Sequence, residues 1–123
     1  MQDDAAPALD MEHLSRLREL GDSGSSGALA RMFHRYLDSI PPQLVRMREA
    51  VEKADTSRLA REAHDLAGSS AVYGLPRLRQ CCLALEALAK NKTEDVPGTL
   101  MAEVERAFEE ARPLVLAELP LEG

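Results

Sequence analysis

The sequence is short of the residues that build sheets and large aromatic cores. It has no Trp, and only two Tyr and two Phe among 123 residues. Val, Ile and Thr together number 10, against 18 Ala and 19 Leu. That balance disfavours strands and favours helices. Cysteine is limited to the adjacent pair Cys81 and Cys82, which lacks the spacing of a zinc site or a CxxC redox motif and reads as helix packing. No run of 18 apolar residues occurs, so no transmembrane helix and no membrane insertion are expected. The N-terminal MQDDAAPALD is acidic and has no apolar stretch of the kind a signal peptide carries. A reduced, cytoplasmic protein is the expectation. Basic charge is also in deficit, with 15 Lys and Arg against 21 Asp and Glu for a net charge of −6. This argues against nucleic acid as a general partner. The chain is the size of one domain and too small for a large cofactor enzyme.

What is present is helical periodicity. Residues 1–9 read as a flexible tail, and 10–123 as a single bundle domain. Asp10 suits the cap of a short helix over about 11–20, carrying Met11, Leu14 and Leu17 on one face. The Gly/Ser-rich 21–27 is a turn. From Ala28 to Val51 one apolar stripe runs through Leu29, Phe33, Tyr36, Leu37, Ile40, Leu44 and Met47, roughly 36 Å if straight. Pro41 and Pro42 interrupt it without shifting its phase, which predicts a kink rather than two helices. Asp55 or Thr56 caps the next helix, which runs to about Val72 with Leu59, Ala63, Leu66 and Ser70 inward. Gly74 stops it, and Pro76 opens a helix to about Lys90 with Leu78, Cys82, Leu85 and Ala89 inward. Residues 91–98 form a turn, and Thr99 caps a last helix to about Ala111, with Pro113 near its end. Short connections make sequential helices antiparallel. The expected fold is all-α: an antiparallel up-and-down four-helix bundle with a short additional N-terminal helix. Met32 with Met47 and Phe33 with Phe108 read as core.

His64 breaks the pattern. Ala60, Arg61, Ala67, Gly68 and Ala71 share its face, away from the packed one. Gly68 costs roughly 1 kcal/mol of helix propensity relative to Ala. Close approach of another surface would account for it; so would an ordinary exposed histidine beside a weak helix end. An imidazole with a free lone pair can carry a phosphoryl group on nitrogen. No nucleotide-binding loop is present, so the donor and its magnesium would come from a docked partner. His13 and His34 have no motif around them and read as solvated helix residues. Ser69 and Ser70 can bond the preceding turn's carbonyls, and Tyr73 packs near the helix end.

The run AHDLAGSSAVYGLPRLRQCCLALE, residues 63–86, resembles the signature of histidine-containing phosphotransfer (HPt) domains, through His64, Leu66, Gly68, Ser69, Gly74, Leu78, Leu85 and Glu86. The segments LDMEHLSRLREL and FHRYLDSIPPQLVRMREAVEKAD also resemble that family in spacing. The resemblance implies a phosphorelay intermediate. A phosphoryl group passes between aspartates of response-regulator receiver domains, or from a sensor kinase, through phosphohistidine at Nε2 of His64. It implies no autonomous kinase activity and no cofactor on this chain, with Mg2+ on the partner receiver. A hybrid sensor histidine kinase is a further implied partner, and a monomer is the expected state. Glu86 would hold the imidazole Nδ1, Gly68 would clear the docking surface, and Leu66, Gly74 and Leu78 would be structural. Ala60, Ala67, Gly68, Ala71 and Arg58 would form that surface. One position departs from the family: Ala67 stands where a Lys is usual, which removes a charge-assisted contact to the phosphoryl oxygens. Arg61 is the expected replacement and Lys90 the weaker one. Two rival readings remain, a non-phosphorylated binding protein that docks on and inhibits a receiver or kinase, and a helical scaffold.

Overall fold

A computed structural model describes residues 6–20, 26–91 and 98–121. They form five helices, α1 (Met11–Leu20), α2 (Ser26–Glu52), α3 (Thr56–Tyr73), α4 (Pro76–Lys90) and α5 (Gly98–Glu118). No strand occurs among the described residues. Helix α2 packs on α3 and α5, α3 on α4, and α4 on α5. The four long helices thus close a ring of contacts around one core.

The starts and stops follow from local chemistry. Asp10 Oδ1 accepts from the His13 N–H at 3.1 Å, and Asp55 Oδ1 from the Arg58 N–H at 3.2 Å; each satisfies an amide that a helix start leaves unpaired. Helix α3 ends at Gly74, with φ 74° and ψ 41°. There the Leu75 N–H reaches the Ser70 carbonyl at 2.9 Å, closing the last turn in the left-handed manner that glycine adopts without a Cβ clash. The same closure ends α2 with Ala54 at φ 54°, where the side chain carries a steric cost of about 1–2 kcal/mol.

Leu75 offers α4 no side-chain cap. The chain before α1 supplies one instead. The Pro7 carbonyl accepts from the Arg77 N–H at 3.1 Å, and the Gly74 carbonyl accepts from the Asp10 N–H at 2.9 Å. Ala8 and Leu9 are buried. Residues 6–9, assigned to the tail by sequence, therefore pack on the α3–α4 turn; residues 1–5, and residues 21–25 and 92–97 of the turns expected at 21–27 and 91–98, lie outside the described residues, while Ser26 and Gly27 already belong to α2 and Gly98 to α5.

Helix α2 is unbroken through Pro41 and Pro42, both exposed. Helix α5 is longer than its periodicity suggested. It begins at Gly98, so Thr99 lies inside it rather than capping it, and it continues past an exposed Pro113 to Glu118 because Val115 is buried in the core. Leu14, Phe33, Ile40, Met47, Leu59, Leu66, Leu78, Leu85, Met101 and Val104 are fully buried, each contributing about 1.5–3 kcal/mol from burial. Phe108 is also in the core, but Met32 is 51 % exposed; the Met32–Met47 packing expected from sequence does not form, because Met32 precedes Phe33 on the solvent side of α2.

The few aromatics are concentrated. Tyr36 and Tyr73 stack at 4.0 Å between centroids, and Phe33 meets Tyr73 edge-on at 4.9 Å. The Tyr36 hydroxyl lies 2.8 Å from Ser69 Oγ, while Ser70 Oγ donates to the Leu66 carbonyl at 2.7 Å. Burial raises the Tyr36 pKa. This cluster ties α2 to the last turns of α3, and it holds rigid the helix that carries His64.

Candidate functional site

His64 sits near the middle of α3 with its side chain 69 % exposed. Its Nδ1 lies 3.1 Å from Glu86 Oε2 on α4. Glu86 is itself buried, and Lys90 Nζ, one turn further along α4, lies 2.8 Å from the same oxygen. The Lys90 hydrogen bond and, less strongly, the His64 one hold the Glu86 carboxyl below the usual carboxylate range, against the burial that would raise it. An ionised carboxylate can only accept. Nδ1 therefore carries the proton, and in the neutral ring Nε2 carries the lone pair. No partner reaches Nε2 among the described residues. The family resemblance implied Glu86 for this contact, and the structure brings the two side chains together.

The surrounding surface is built from small side chains. A cavity of about 210 Å³ is lined by His64, Ala67, Gly68 and Ala71 of α3 and by Arg79 and Leu83 of α4. A Cβ placed on Gly68 would meet nothing within 4 Å. Gly68 and Ala71 are exposed, and Ala60 and Arg58 are half-buried. Ala67 differs from its expected place on the exposed rim. It is only 3 % exposed, because it follows Ala63 by four residues and Leu66 by one and so turns partly into the core. Its methyl floors the cavity instead. Leu66 and Leu78 are fully buried between the helices.

The two cations named from sequence are not in the cavity. Arg61 is exposed and does not line it, and Lys90 is engaged with Glu86. Sequence reasoning missed Arg79 and Leu83. The available signal was their spacing: seven and three residues before Glu86, they fall on its helical face.

His13 and His34 are corrected outright. Neither is simply solvated. His13 Nε2 donates to the Val72 carbonyl and His34 Nε2 to the Leu119 carbonyl, each at 2.7 Å. Val72 is in the last turn of α3 and Leu119 follows α5, so each ring satisfies a carbonyl that a helix end leaves without an amide partner. Cys82 is buried, and burial raises the pKa of both cysteine thiols, which disfavours the reactive thiolate. No helix among the described residues is long and apolar enough to cross a membrane.

Comparison with known proteins gives one result. The family model described as Hpt domain matches residues 31–113, which include α3, α4 and most of α2 and α5. No curated protein and no solved structure matches the chain.

Proposed function

Because the chain belongs to the Hpt domain family, whose members act in His–Asp phosphorelay, we propose that His64 is its phosphoryl carrier. The observation that supports this most is the pairing of His64 Nδ1 with the buried Glu86 carboxylate while Nε2 stands exposed and unengaged. In the forward step Nε2 attacks the phosphorus of an aspartyl phosphate on a receiver domain. The N–P bond forms, the O–P bond breaks, and the aspartate leaves as carboxylate. The Nδ1 proton stays on the ring, where Glu86 stabilises the positive charge that develops. The onward step is the reverse, towards the aspartate of a second receiver. Magnesium belongs to the receiver's acidic site, and this chain needs only to present the nucleophile on a surface that another domain can approach. Gly68 and Ala71, exposed beside His64, suit that approach.

The finer architecture belongs to the same reading: an antiparallel up-and-down bundle of α2 to α5, supported by the closed set of contacts between them. So do a monomeric state, a cytoplasmic location, and receiver domains or a hybrid sensor kinase as partners. Ala67 in the usual lysine position favours the rival reading, a binding protein that inhibits its partner without taking up phosphate. One experiment separates them. The chain is incubated with phosphorylated receiver domains from the same genome, and acid-labile phosphate on it is measured for wild type and His64→Gln. Uptake by wild type that vanishes in His64→Gln is the expected result. Equal uptake by the two, or binding with no uptake by either, sinks the carrier role.

A further inference from the structure

Helix α4 presents to the His64 edge a stripe of Arg79, Leu83, Glu86 and Lys90 at helical spacing. Glu86 is engaged with His64, and Lys90 with Glu86. Arg79 is not: among the described residues its guanidinium makes no hydrogen bond and no ion pair. This sets it apart from Arg18, Arg46, Arg48 and Arg77, each of which holds a carboxylate on another helix. Among the described residues, Arg79 is also the only Lys or Arg lining the cavity that begins at His64. Ala67, Gly68 and Ala71 line the same cavity and fill little of the space a phosphoryl group would need.

We propose that Arg79 binds the phosphoryl oxygens while the group rests on His64, supplying from α4 the charge that Ala67 does not supply from α3. This rests on the phosphohistidine reading. The guanidinium suits the role because it is charged at every working pH and presents paired N–H donors to phosphoryl oxygens. Its long, flexible stem gives it reach within a cavity otherwise lined largely by small residues. Among the described residues no carboxylate forms an ion pair with it.

The test uses the full chain and phosphoramidate as a small donor, so no receiver is needed. Donor and imidazole exchange a P–N bond: the phosphoryl group leaves ammonia and joins Nε2. The rate of loading is followed by intact mass, and the ionisation of the bound phosphoryl group by phosphorus NMR across pH. Arg79→Ala slows loading about three- to tenfold, the loss expected for one charge-assisted contact, and raises the pH at which the phosphoryl group takes its second negative charge. Arg79→Lys recovers most of both effects. Arg61→Ala changes neither, and the melting temperature is the same in all three. If Arg79→Ala loads and titrates like wild type, or if Arg61→Ala matches its effect, the assignment to Arg79 is overturned while the phosphohistidine reading stands. Absence of acid-labile phosphate on wild type, with His64→Gln indistinguishable from it, removes the carrier role itself and this inference with it.

Discussion

At the turn between α3 and α4, His13 lies against Gly74 and spends its Nε2 on the Val72 carbonyl. Further back along α3, His64 is mostly exposed and has only its Nδ1 engaged, by a carboxylate. The two rings are chemically identical. One closes a helix end, where the acceptor is a backbone atom fixed in place. The other is oriented by an ionised side chain that leaves its second nitrogen open. The surroundings differ in the same sense. Around His13 the chain is tight, with the Asp10 N–H bonded to the Gly74 carbonyl and the Arg77 N–H to the Pro7 carbonyl. Around His64 the surface is pared back to alanine and glycine. Backbone bonding is concentrated at the turn, and access is concentrated beside His64.

The sharpest way to break that contrast is at Gly74. A Cβ there would come within 2.7 Å of His13 Cδ2, on a backbone at φ 74°. Gly74→Ala thus carries the left-handed cost of about 1–2 kcal/mol and displaces the His13 ring, losing a hydrogen bond of about 1 kcal/mol. A fall in stability of about 2–3 kcal/mol is expected, read by urea unfolding as a lower midpoint with an unchanged slope. A loss below about 0.5 kcal/mol would show that the turn is not held as tightly as described.

Glu86→Gln comes next and acts on the other side of the comparison. The amide can donate as well as accept, so it no longer dictates which nitrogen of His64 carries the proton, and it gives Lys90 no ion pair. Transfer to a receiver is expected to slow about tenfold, equivalent to about 1.4 kcal/mol. The stability profile checks the same carboxylate separately. Its pKa is lowered in the folded chain from the ordinary 4.5, chiefly by Lys90. Its ionised form therefore stabilises the fold fully above that ordinary value, and the contribution is lost as pH falls through the lower folded value. Wild type should lose more stability than Glu86→Gln between neutral pH and the acid side of that window. Parallel losses would mean that the Lys90–Glu86–His64 chain contributes nothing to folding.

Much of this layout was legible in the sequence, and the misses share a cause. Periodicity placed α2, α3 and α4, because Phe33, Ile40, Leu66 and Leu78 repeat at the spacing that buries one face. The pairing of His64 with Glu86 was legible because both lie within one continuous motif. What escaped were contacts between segments far apart in the chain. Nothing near His13 or His34 announces a carbonyl 59 or 85 residues away. Nothing in residues 6–9 announces that Leu75 would leave α4 uncapped. Ala67 was misplaced for a local reason: an alanine near the boundary of a buried stripe has no polarity to declare which side it faces. Arg79 was not legible because it lies one helix away from His64 and seven residues before Glu86, and only the packing of α3 on α4 puts it on the same cavity.

The smallest expected effect is the most direct comparison of the two regions, since it repeats the Gly→Ala change at Gly68. There a Cβ would meet nothing within 4 Å, and the backbone is ordinary helix. Alanine should gain about 0.5–1 kcal/mol of helix propensity, opposite in sign to the same change at Gly74. If Gly68 were glycine for packing, stability would fall instead. If it is glycine so that another domain can come close to His64, the gain in stability arrives with a penalty that only a macromolecular donor feels. Phosphoramidate, small enough to pass the added methyl, should load Gly68→Ala at the wild-type rate, whereas transfer from a phosphorylated receiver should slow. Equal slowing with both donors would place the glycine's role in the chemistry at His64, and no slowing with either would leave the open surface beside it without a docking role.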